Sequence, residues 1–210
     1  MFLYKTRSDQ VFNLVLGGLV LYGLLLIILT TMFFGSLFSS VRPLPFLLGF
    51  LAMAIAGIAC GRSSGFGMRL LGYHLLVLPF GPLLALILPE YAASEVFTAV
   101  VLTAVITVGM IGLSVVFPQF FSRLGRVLIL SLLLTLAAEI AALLLGYRSP
   151  LLSWIGVGLF SMYIGYDWHR AQQGTKTVYH AIDCAVDLYL DITNLFLDLL
   201  DALDWSDLLG

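Results

Sequence analysis

Charge is what this sequence has least of: charged residues fill 10% of its 210 positions, against about a quarter in soluble domains. The ten basic and twelve acidic side chains nearly cancel, so no basic surface is available for nucleic acid. Cysteine is equally scarce. Cys60 and Cys184 have neither C-x-x-C nor metal-ligand spacing, which excludes a disulfide framework or a zinc cluster and leaves both as reduced packing residues. Long polar stretches are missing too. Seven spans of about 20 residues each would use roughly 140 positions, and the loops left over cannot fold into an extramembrane catalytic module. Gly61 to Gly67 is glycine-rich, but it lacks a Gly-Lys-Ser/Thr ending and a preceding strand, so a phosphate loop is excluded.

What the chain has in abundance is apolar side chain, 61% of the sequence. Backbone polar groups in lipid must be satisfied within helices, so each long apolar run reads as a membrane helix. The runs are Val11 to Phe34, Leu44 to Cys60, Leu70 to Leu88, Val96 to Phe117, Val127 to Gly146, Leu151 to Tyr166 and Tyr179 to Leu200. The expected fold is therefore an all-α polytopic membrane protein, one seven-span domain over residues 1–210. The first run exceeds a signal-peptide core and has no A-x-A site after it, so it is expected to remain as a span.

Orientation follows from the basic residues. With the N-terminus inside, Lys5, Arg7, Arg62, Arg69, Arg123, Arg126, Arg170 and Lys176 are cytoplasmic, and only Arg42 and Arg148 lie outside. Seven crossings then put the C-terminus outside, with which Asp201, Asp204 and Asp207 agree weakly. Six crossings would leave the last segment as a surface helix. A bacterial inner membrane is preferred to the endoplasmic reticulum as the location.

Small residues Ala52, Ala56, Gly57, Gly61 and Gly65 fall at close helical spacing on the second span and its exit, a pattern for close helix approach. Pro79 and Pro82 interrupt the third span, as a structural kink or as a hinge.

Ionisable residues at membrane depth are costly and mark ion or proton pathways. Asp167 ends the sixth span. The seventh carries Asp183, Asp187, Asp191, Asn194, Asp198 and Asp201, at offsets of 4, 8, 11, 15 and 18 from the first. At about 100° per residue these fall within a sector of roughly 80°, and His180 joins the same face. An interfacial helix would usually present Lys and Arg to anionic headgroups. An all-acidic stripe instead favours a central helix lining a wet interior. Carboxylate oxygens there suit calcium or protons. Glu139, within the fifth span, reads equally as a protonated side chain bonded to a neighbouring helix or as part of the pathway. His74 reads as a hydrogen-bonded packing residue, while His169 and His180 are solvated or tune a pH response. Trp154, Trp168 and Trp205 read as interfacial anchors.

The segment Met162-Tyr163-Ile164-Gly165-Tyr166-Asp167, with Asp191 following 24 residues after Asp167 inside Leu188-Tyr189-Leu190-Asp191-Ile192-Thr193-Asn194-Leu195-Phe196-Leu197, resembles the signature of the Bax inhibitor-1 (transmembrane Bax inhibitor motif) family in its bacterial-type form. Phe120-Phe121-Ser122-Arg123-Leu124-Gly125 extends the likeness more weakly. The resemblance implies two three-helix layers around a central C-terminal seventh helix. It also implies a pH-sensitive calcium leak gated by Asp167 and Asp191 sharing a proton. Calcium is then the transported ion, with those two aspartates as its ligands, and no cofactor is involved. Arg62 is the match to the arginine that latches the first aspartate. Asp183, Asp187, Asn194, Asp198 and Glu139 are left as possible pathway residues.

Three other readings stay open: a proton-coupled calcium exchanger, a membrane adaptor with an unidentified membrane-protein partner, and an intramembrane aspartyl protease. The last is disfavoured, because Leu188-Tyr189-Leu190-Asp191 replaces Gly-x-Gly-Asp and no Pro-Ala-Leu follows. The chain is expected not to be an enzyme, and its expected partners are calcium and the lipid bilayer.

Overall fold

A computed structural model of the protein describes residues 7–38, 43–146 and 149–209. The described residues form helices joined by short turns, with no strand among them. Lys5, Arg42 and Arg148, which enter the orientation count, lie outside them, as do the side chains of Trp205 and Asp207.

In chain order the elements are α1 (Arg7–Phe38), α2 (Pro43–Gly61), α3 (Phe66–Val77), α4 (Phe80–Ile87), a 3-10 turn (Leu88–Glu90), α5 (Ala93–Val116), α6 (Pro118–Phe121), α7 (Gly125–Leu144), α8 (Pro150–Gln173) and α9 (Val178–Leu209). Each apolar run falls mainly on helix, with a break at Leu78–Pro79 in the third and with Phe117, Leu145 and Gly146 beyond helix ends. Composition and length alone support four crossings, Arg7–Phe33, Phe66–Glu90, Ala93–Val116 and Gly125–Ala142, with Pro45–Gly61 a shorter apolar helix. The remaining two runs lie on α8 and α9, whose ionisable residues lower their hydropathy. Val108 on α5 and Leu134 on α7 are each 72% exposed, which a soluble protein would not tolerate along whole helices but a lipid-facing surface requires. Several apolar helices thus fit a multi-pass integral membrane protein.

Two compact units divide the chain, Met1–Glu90 with Gly174–Tyr189, and Tyr91–Gln173 with Leu190–Gly210. In the first, α2 lies against α3 where glycine meets glycine. A Cβ added at Gly72 would stand 2.7 Å from both the Gly57 carbonyl oxygen and the Gly61 amide nitrogen. Of the small residues expected to pack, Gly57 is buried at this crossing and Gly61 borders it, whereas Ala52 and Ala56 are exposed.

The third run divides at its prolines. Pro79 and Pro82 have no amide hydrogen, so neither can bond to the carbonyl four residues back. The Gly81 amide bonds to Leu78 O at 3.3 Å in place of Pro82, which leaves Val77 O without its usual helical donor. The Tyr189 hydroxyl donates to Val77 O at 3.2 Å, and the Thr31 hydroxyl donates to Gly81 O at 3.1 Å. The Tyr73 hydroxyl, buried in the same unit, donates to Leu19 O at 2.6 Å. His74 bonds Leu70 O through Nδ1 and the Tyr22 hydroxyl through Nε2, as a packing residue does.

In the second unit α8 packs against α5 and α7. Gly165 makes room for the Phe121 ring, and a Cβ at Gly125 would meet the Tyr166 hydroxyl at 2.6 Å.

Replacing Gly72 with Ala is expected to lower stability by about 1–3 kcal/mol, the range for forcing a methyl into a close-packed contact. Thermal unfolding in detergent measures this. Gly109→Ala is the comparison, because a Cβ at Gly109 meets nothing within 4 Å; it should be neutral or stabilising by up to about 1 kcal/mol.

Candidate functional site

Asp167 on α8 and Asp191 on α9 are both 7% exposed, and their carboxyl groups are hydrogen-bonded to each other. Two carboxylates offer only acceptors, so a bond between them requires a proton on one. Arg170, one helical turn beyond Asp167, brings Nη2 to 3.1 Å from Asp167 Oδ1. Its guanidinium also lies over the Tyr166 ring, 5.9 Å from the centroid. Asp167 is thus held by a carboxyl partner on another helix and a cation on its own.

The rest of the acidic face of α9 meets neighbours one at a time. In the second unit the Ser153 hydroxyl donates to Asp201 Oδ2. The Asp198 carboxyl lies directly against Gly156, where a Cβ would overlap it, and its Oδ2 is buried without a hydrogen-bond partner among the described residues. Ser153, Gly156 and Asp167 run up α8 as Asp201, Asp198 and Asp191 run down α9, so these segments face each other in antiparallel register. Glu139 is exposed on α7, within electrostatic reach of Asp198 and Asp201. Asn194 turns inward on its own helix, donating from Nδ2 to Leu190 O at 2.9 Å.

In the first unit Asp183 pairs with Arg69 at 2.5 Å. Arg69 Nε donates to Ser63 O at 2.7 Å, and its guanidinium lies 5.4 Å from the centre of the Tyr179 ring. Asp187, partly buried, follows one turn later. His180 stacks on Phe12 with centroids 5.7 Å apart, and its Nε2 lies 3.5 Å from the buried Cys184 Sγ. Lys176, in the turn before α9, sits 4.4 Å above Phe12. Partial burial there pushes its ammonium below its ordinary pKa, and Asp9 opposes the shift. Arg62 is exposed on the turn after α2. Among the described residues there is no cluster of three or more His, Cys, Asp or Glu arranged to hold a metal ion.

Sequence reading alone did not single out Arg69 as an acid's partner, nor Arg170, Ser153 and Gly156. Arg170 was within reach, since three residues after an aspartate is a favourable helical ion-pair spacing. Arg69 was not, because 114 residues separate it from Asp183. Ser153 and Gly156 are small residues three apart on α8, a weak signal of a close partner.

An all-helical membrane protein with paired acids buried between two helices is the class this arrangement defines. The family model described as "Inhibitor of apoptosis-promoting Bax1" matches residues 5–207, and the chain belongs to that Bax inhibitor family. Among curated proteins it is similar to two uncharacterized proteins of Helicobacter pylori. One, from strain J99, is 29% identical over 127 residues, covering 58% of this chain and 53% of the relative. The other, from strain 26695, is 28% identical over the same coverage. The chain thus spans about half the length of the curated relatives it matches.

Arg69→Gln and Asp183→Asn, combined in a double-mutant cycle, should give a coupling energy of about 1 kcal/mol, as for a partly exposed pair. Detergent unfolding at low and high salt reads it. The coupling should shrink as salt rises, while the Asp167 pair, being buried, should not follow.

Proposed function

We propose that this protein is a pH-sensitive calcium leak channel in which Asp167 and Asp191, sharing one proton, form the gate. The observation that carries the reading is the hydrogen-bonded contact of two buried carboxyl groups on separate helices. Family membership supports it. With one proton the pair is joined by a charge-assisted bond. Removing the proton leaves two like charges in contact, and adding a second removes the charge that strengthens the bond. The two groups titrate as a unit, so the pH response belongs to the pair. A change in proton occupancy shifts the balance between joined and separated helices, and thereby the population that conducts.

Calcium is cargo in this reading. Hard carboxylate oxygens suit it, and the acids of α9 offer successive, individually weak contacts. Asp183, Asp187, Asn194, Asp198 and Glu139 are the side chains assigned to that route. The protein is taken to work in a bacterial inner membrane with its N-terminus cytoplasmic.

Purified protein in liposomes should pass calcium down its gradient with a pH-dependent rate, read with an enclosed calcium dye. Asp167→Asn and Asp191→Asn should each flatten the pH profile, and the double variant should add little beyond either one. A leak equal to that of empty liposomes at acid and neutral pH would overturn the channel reading. A wild-type profile in Asp191→Asn would overturn the shared-proton gate.

Arg170 supplies a cation to ionised Asp167 from its own helix, and Arg62 is proposed as the latch on the closed state. Arg62→Ala should raise calcium flux. Unchanged flux in folded protein would make Arg62 an orientation anchor instead.

A further inference from the structure

The second unit carries a groove of about 280 Å³ lined by Met110, Leu113, Phe117, Phe120, Phe121 and Met162. It exists because α5 stops. Phe117 leaves helical geometry at φ −117° and ψ 55°, and Pro118 then starts the four-residue α6. The chain turns away from α5, and a gap remains against Met162 of α8. All six lining side chains are apolar, and four of them, Leu113, Phe117, Phe120 and Met162, stay between 38% and 55% exposed. The contrast is Phe121, 2% exposed, whose ring is anchored on Gly165 and forms a fixed wall.

What lies beside the groove identifies its occupant. Two and five residues beyond Phe121 come Arg123 and Arg126, both exposed. Neither has an ion-pair partner among the described residues. No acidic residue occurs between Glu95 and Glu139, so the local charge is positive. The flanking helices fix the depth. Ala93–Val116 and Gly125–Ala142 are each apolar and long enough to cross a membrane, which puts residues 117–124 at a bilayer surface, at the level of lipid headgroups. A molecule fitting both features needs a hydrocarbon chain for the groove and a negative phosphate at its mouth.

We propose that the groove seats one acyl chain of an anionic phospholipid whose phosphate is held by Arg123 and Arg126. Guanidinium groups bind phosphate through two parallel hydrogen bonds, and basic residues at the membrane surface attract anionic lipid. The two arginines select the headgroup, and the flexible side chains of Met110 and Met162 in the lining adapt to the chain.

Full-length protein in detergent, titrated with phosphatidylglycerol or with phosphatidylcholine of the same acyl chains and read by native mass spectrometry, tests this. Wild type should retain phosphatidylglycerol over phosphatidylcholine by roughly tenfold. R123Q/R126Q, altered only at exposed positions, should lower phosphatidylglycerol retention to the phosphatidylcholine level. Leu113→Trp, which fills the groove while leaving both arginines, should reduce retention of both lipids; Met162→Trp does the same from the α8 side should the first variant fold poorly. Equal retention of the two lipids by wild type, or an unchanged preference in R123Q/R126Q, would overturn the proposal. So would a protein dimer that Leu113→Trp dissociates without any change in lipid retention, because the groove would then be an interface between two copies.

Discussion

A carboxylate buried among apolar helices must find a proton, a cation or a hydrogen bond, because the hydrocarbon side chains around it supply none of them. This condition acts on α9 at Asp183, Asp187, Asp191, Asp198 and Asp201, and it explains much of what surrounds that helix. Asp183 takes the guanidinium of Arg69, Asp191 takes the carboxyl of Asp167, and Asp201 takes the hydroxyl of Ser153. Asp198 is accommodated by the missing side chain of Gly156. Three chemically different partners answer one requirement, while Gly156 gives Asp198 room and its Oδ2 stays without a hydrogen-bond partner among the described residues. Their variety follows from how closely each neighbouring helix approaches: a long arginine reaches from the start of α3, whereas only a serine or a glycine fits where α8 lies close.

The backbone obeys the same condition. Breaking a membrane helix at Pro79 and Pro82 frees carbonyl oxygens that nothing in lipid can satisfy. The hydroxyls of Tyr189 and Thr31 bond to carbonyls at this break. Each side chain that serves the break also fixes an element against it, since Tyr189 belongs to α9 and Thr31 to α1. The prolines therefore do more than bend a helix: by leaving Val77 O without its helical donor they create a point at which the first part of α9 is bound to the rest of its unit, and Thr31 of α1 adds a contact beside it at Gly81 O. A flexible hinge would leave such acceptors to water, whereas here they are spent on tertiary contacts.

Much of this was legible in the sequence, for definite reasons. Long unbroken apolar runs mark helices in a membrane because such a run satisfies its backbone only within itself, so each run falls mainly on helix. Their ends were less legible. The run ending at Tyr166 continues as helix to Gln173, because hydropathy reports depth in the membrane while helix is equally open to Asp167, His169 and Arg170. The position of Asp191 on the acidic face, and Asp167 as its counterpart, came from local spacing and motif. The pairing of Asp183 with Arg69 could not come from either, since it depends on how α3 and α9 pack. Small residues on α2 were read correctly as a packing signal, yet only the Gly57 and Gly61 end of that stripe is used. A stripe of small side chains says that approach is allowed, and the partner's own glycine, Gly72, decides where it happens.

The acids of the second unit also act on each other through geometry. From Leu190 onward α9 is a continuous helix, and a helix transmits displacement along its axis with little compression. Asp191, Asp198 and Asp201 are therefore fixed relative to one another, as are Asp167, Gly156 and Ser153 on α8. A shift of this part of α9 along α8 that separated the two bonded carboxyls would also carry Asp198 off Gly156 and Asp201 off the Ser153 hydroxyl. The free energy holding the carboxyl pair together consequently includes the seating of two further acids a few turns away. Their own balance is affected by Glu139, which stands within electrostatic range of both.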